Sequence, residues 1–95
     1  MGFKYNATMQ KQVENIFNEG GYSVRYERGN FQNGYCVLEN RRVVVINKFH
    51  ETEAKINSMM EILSGIEDLE MDNLSSESYA LLQEIKTTKM ELFQK

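Results

Sequence analysis

Met9, Val13, Ile16 and Phe17 recur at i, i+4, i+7 and i+8, the single apolar stripe of a helix with one buried face. Asn6 or Thr8 is placed to accept the orphan N–H groups at its start, and Gly20-Gly21 supplies a left-handed residue to end it. The period then changes to two. Tyr22, Val24 and Tyr26 alternate with Ser23, Arg25 and Glu27, which describes a strand with one wet face. Gly29-Asn30-Phe31-Gln32-Asn33-Gly34 is loop sequence with an Asn-Gly turn signal. Two further strands are predicted at Tyr35 to Glu39 and Arg42 to Asn47. A two-residue turn at Asn40-Arg41 sets Glu39 opposite Arg42, Leu38 opposite Val43 and Tyr35 opposite Ile46.

This pairing places Tyr35, Val37, Val44 and Ile46 on one face of the hairpin, and Cys36, Leu38, Val43 and Val45 on the other. Both faces are apolar. An antiparallel sheet covered on one side only shows polar residues on its wet side. Either helices cover both faces, or one face meets a partner.

Helical spacing returns with Ile56, Met59, Met60 and Leu63, with Thr52 as the expected N-cap and Gly65 near the end. The segment 66–74 has no period. A last helix, capped by Ser75 or Ser76, carries Leu81, Leu82, Ile85 and Leu92 with Phe93 beside them. The expected order is α-β-β-β-α-α. The expected fold is an α+β domain spanning residues 1–95, a three-stranded antiparallel meander with one helix before it and two after.

Composition narrows the chemistry. Ninety-five residues with a 41% hydrophobic fraction suit one small core. The net charge of −3 divides unevenly: residues 1–55 carry eight cations against six acids, and residues 56–95 carry three against eight. The basic excess of the front is too small to imply nucleic-acid binding by itself. Val43-Val44-Val45-Ile46 is the longest wholly apolar run, and Met1-Gly2-Phe3-Lys4 lacks the apolar core of an export signal. No membrane span and a cytoplasmic location with a reduced Cys36 are expected.

Cys36 and His50 are the only thiol and the only imidazole. They are too few for a four-ligand zinc site, and Cys36 falls inside an apolar strand. The acids Glu67, Asp68, Glu70 and Asp72 do not form a calcium loop. Counted from Asp68, Asn73 and Tyr79 stand where Gly and Glu are required. The glycines form neither a dinucleotide fingerprint nor a P-loop. No catalytic residue, cofactor or metal is therefore expected.

Two families share outlines with this chain. A strand ending in Ile46-Asn47, followed by a helix with Glu61, resembles the zinc peptidase family associated with phage-immunity regulators. Their helix carries H-E-x-x-H, where this chain reads Met60-Glu61-Ile62-Leu63-Ser64, so the resemblance implies a relative without zinc or hydrolysis. The order α-β-β-β-α over Met9 to Leu63, with Glu53-Ala54-Lys55, resembles the double-stranded RNA-binding domain. That resemblance implies lysines at the second helix start. Here His50-Glu51-Thr52-Glu53 stands there, with Lys48 and Lys55 the nearby cations.

The function expected from these features is that of a non-catalytic interaction or regulatory module with a protein partner or a second copy of itself. The candidate contacts are Tyr35, Val37, Val44 and Ile46 on one hairpin face, and Met90, Leu92 and Phe93 at the chain's helical end. The alternative is RNA or single-stranded nucleic-acid binding through Arg25, Arg28, Arg41 and Arg42, with Phe31 and Tyr35 as stacking platforms.

Overall fold

The computed structural model describes residues 4–29, 34–38 and 41–93; for 35–38 and 89–93 the description is of the backbone. Asn6 starts the first helix, α1 (Ala7–Glu19), by accepting the Met9 N–H on its side-chain oxygen at 2.9 Å. The helix ends at Gly20, and Gly21 turns the chain with a positive φ of 97°. Three strands follow: β1 (Tyr22–Glu27), β2 (Gly34–Leu38) and β3 (Arg41–Asn47). The second helix, α2 (Thr52–Gly65), has Thr52 inside it rather than at its cap; the extended residue before it is Glu51. A 3-10 turn at Met71–Asn73 breaks the aperiodic connection. In the third helix, α3 (Ser76–Phe93), Ser75 is the cap, its hydroxyl accepting the Ser78 N–H at 3.2 Å.

The sheet is not an antiparallel meander. Its strand order is β1-β3-β2, with β2 antiparallel to β3 and β1 parallel to it. The physical reason lies in β3 itself. Its run Val43-Val44-Val45-Ile46 is apolar at consecutive positions, the pattern of a strand enclosed by neighbours, and it takes the centre. β1 alternates with polar residues and takes an edge. Six residues separate β1 from β2, enough chain to step across two inter-strand spacings of about 4.8 Å each.

The hairpin register also differs from expectation, by two residues. Tyr35 pairs with Val44, Cys36 with Val43 and Leu38 with Arg41. Arg41 thus belongs to β3 rather than to a turn, and Glu39 and Asn40 lie outside the described residues. Arg42 faces Val37 on one side and Tyr22 on the other, which replaces the expected pairing with Glu39. A shift of two preserves the alternation, so the two sets of residues remain on the two faces predicted for them.

The helices occupy one face. Val44 and Ile46 of β3 and Tyr22 of β1 join Met9, Val13, Ile16 and Phe17 of α1 and Ile56, Met59, Met60 and Leu63 of α2 in one buried cluster. α3 packs against α1 and α2, and adds Leu82 and Ile85. Every apolar stripe residue expected of α1 and α2 is buried. No helix among the described residues is long and apolar enough to cross a membrane.

Ile46 has no exposed surface, whereas its neighbour Val45 points to the other face and is half-buried. Ile46→Ala is expected to lower unfolding free energy by about 2–5 kcal/mol, and Val45→Ala by clearly less. Urea denaturation of both variants measures the difference, and equal losses would contradict the one-sided core.

Candidate interaction surface

The face of the sheet opposite the helices is built from alternate residues. β1 contributes Ser23, Arg25 and Glu27, which are exposed, and β3 contributes Arg41, Val43 and Val45. In register with them, β2 sets Gly34 opposite Val45 and Cys36 opposite Val43. No residue of this face of β1 or β3 belongs to the core cluster, and among the described residues no helix packs there. Val43 is still only 6% exposed, as befits the middle position of the middle strand. A Cβ built on Gly34 meets nothing within 4 Å, so the surface beside Val45 is open. The described apolar surface of this face is half-buried Val45, with a charged rim in which Arg25 and Glu27 pair at 3.3 Å.

The candidates predicted from sequence are distributed differently from expectation. Val44 and Ile46 are fully buried beneath the helices, so neither is a surface contact. Tyr35 lies opposite Val44, and Val37 opposite Arg42, on that same covered face by register. The face left without helices is the one holding Val43 and Val45. Met90, Leu92 and Phe93 fall in the last turns of α3, where the backbone alone is described. Cys36 and His50 are not brought together. Cys36 is opposite Val43, whereas His50 lies beyond the end of β3, and Val43 to Asn47 alone spans about 13 Å of extended chain.

The arginines also separate. Arg28 and Arg41 are exposed, and Arg25 is paired with Glu27. Arg42 does structural work at the start of β3. Its guanidinium donates to the Asp68 carbonyl at 3.1 Å, pairs with the Asp68 carboxylate at 3.5 Å and the Glu70 carboxylate at 3.4 Å, and lies 5.9 Å from the centre of the Tyr22 ring. Tyr22 donates its hydroxyl to Asp68, and the Glu70 N–H bonds to the Gly20 carbonyl at 2.9 Å. Two acids of the aperiodic segment therefore fasten it to the sheet. Phe31, the other aromatic proposed for stacking, lies outside the described residues.

Phe49 was not signalled by any periodic pattern, yet it is 69% exposed on the turn after β3. An aromatic residue inside the polar run Asn47-Lys48-Phe49-His50-Glu51 was the available signal. No group of three or more His, Cys, Asp or Glu side chains placed to hold a metal ion occurs among the described residues. No family model, curated protein or solved structure matches this chain.

Two polar groups on the helical side have displaced titrations. The Ser75 backbone N–H, followed by Ser78, holds the Glu19 carboxyl below its ordinary value. A lowered carboxylate value stabilises the fold above the ordinary glutamate range, and that contribution is lost as pH falls through the lowered value. Glu19→Gln should therefore reduce the loss of stability on acidification below about pH 4.5, the ordinary value. Denaturant titrations at several acidic pH values check this; an unchanged pH slope counts against it.

Burial, and then the Glu14 carboxylate that accepts its hydroxyl, raise the Tyr26 phenol well above its ordinary value of 10.0. Gln10 donates to the same hydroxyl at 2.9 Å, and the Lys55 ammonium lies 5.4 Å from the ring centre. The stability this raised value contributes is complete below pH 10 and declines as pH rises beyond it. In the native state the Tyr26 absorbance change on ionisation should be missing at pH 10–11. Its appearance there, judged against Tyr26→Phe, would contradict the assignment.

Proposed function

We propose that the chain is a non-catalytic protein-interaction module that associates with a second copy of itself through the helix-free face of its sheet. The single observation behind this reading is the one-sidedness of the fold. All three helices serve one face of the sheet, while the central strand keeps Val43 and Val45 on the other. Packing two such faces together removes apolar surface from water, with Arg25 and Arg41 at the rim fixing orientation. A self-complementary face of this kind favours a two-fold pair.

Nucleic-acid binding is the weaker reading, because Arg42 and Arg25 are already engaged by carboxylates. A self-associating chain should run as a dimer by size exclusion with light scattering at high concentration. At physiological salt, Val45→Lys, placed on the solvent side of a strand, should shift it toward monomer while leaving circular dichroism unchanged. A native chain that stays strictly monomeric sinks the sheet-face reading. Salt-sensitive retention of RNA that depends on Arg28 and Arg41 would favour the alternative.

A further inference from the structure

The most exposed large hydrophobic side chain among the described residues is held on a fixed turn. The Phe49 N–H bonds to the Asn47 side-chain oxygen at 3.0 Å, and the His50 N–H bonds to the Asn47 carbonyl at 3.2 Å. Asn47 is itself only 7% exposed, and its amide nitrogen donates to the Gly29 carbonyl at 2.8 Å. The Lys48 N–H extends the pairing with β1 by bonding to the Glu27 carbonyl at 2.8 Å. A buried polar side chain is thus committed to fixing the backbone that displays Phe49. An anchor held in one conformation loses little entropy on docking. Lys48 flanks it directly and Arg28 stands on the tied strand end, with Glu51 opening α2 on the other side.

A groove of about 450 Å³ lies between the second half of α1 and the first half of α3. Ala80 and Leu81 give it an apolar wall, and Glu19, Glu77 and Glu84 surround it with no lysine or arginine in its lining. Its Glu19 end is fixed by the 2.8 Å bond from the Ser75 N–H. The groove is large enough for an aromatic ring, and its charge is opposite to that of Lys48 and Arg28. Phe49 is exposed and is not among the residues that line the groove, so a chain does not fill its own groove with this side chain.

We infer that the Phe49 turn of one copy docks into the α1–α3 groove of a second copy, with Lys48 and Arg28 facing Glu19, Glu77 and Glu84. The contact is heterologous: each copy offers a knob and a separate socket, so it can extend from pairs to chains. It shares with the sheet-face reading the premise of self-association but uses a different surface.

The test is made on the full chain carrying Val45→Lys, which removes the sheet-face contact. Sedimentation velocity at high protein concentration and low salt should show reversible association that weakens as salt rises. Phe49→Ala and Ala80→Arg, both at exposed positions, should each weaken it at least tenfold without altering circular dichroism. A mixture of these two variants should form a 1:1 complex that grows no further, because one retains the socket and the other the knob. Persistent monomer in that mixture, association unaffected by Phe49→Ala, or a Val45→Lys chain with no association each overturns the inference; the last outcome leaves the sheet-face reading standing. Binding of the turn to phosphatidylglycerol vesicles that requires Phe49, in place of self-association, would assign it to a lipid surface and overturn the inference as well.

Discussion

β3 is hydrogen-bonded along both edges, parallel to β1 and antiparallel to β2, and the remaining elements take their places from that double pairing. A strand so enclosed directs Val44 and Ile46 to one side and Val43 and Val45 to the other. The first pair is sealed beneath α1 and α2, and α3 closes over those helices. Among the described residues, the second pair lies outside the cluster that the helices form.

Polar ties fix the two ends of this sheet differently. At its start, Arg42 gathers Asp68, Glu70 and the Tyr22 ring, and Leu69 lies so close to Gly20 that a Cβ there would fall 2.4 Å from the leucine side chain. The acidic connection between α2 and α3 is therefore part of the packing rather than a free loop. At the other end, Asn47 joins the strand end at Gly29 to the turn that carries Phe49. No buried side-chain nitrogen or oxygen lacks a partner among the described residues, so these ties are satisfied as well as buried.

The surfaces left over are small and chemically distinct: half-buried Val45 on the sheet, a presented aromatic ring, and an acid-rimmed groove. Cys36 and His50 lie in different parts of the fold, and Gln10, Glu14 and Tyr26 form a separate polar network on the helical side.

Local patterning determined much of this protein. The stripes Met9-Val13-Ile16-Phe17 and Ile56-Met59-Met60-Leu63 became the buried faces of α1 and α2, Asn6 became a cap, and the residues of each strand face kept company as expected. These features follow from 3.6- and 2-residue periods, which are set by neighbours in the chain. Strand order and direction were decided elsewhere. An antiparallel β1–β2–β3 meander and the observed β1–β3–β2 sheet share the same alternation, and only the enclosure of the continuous apolar run in β3 distinguishes them. The same holds for Arg42, whose carboxylate partners lie 26 and 28 residues along the chain, and for the choice of which apolar hairpin face the helices cover. The sequence made both faces apolar; placing every helix on one of them, and leaving Val43 and Val45 on the other, required the tertiary fold.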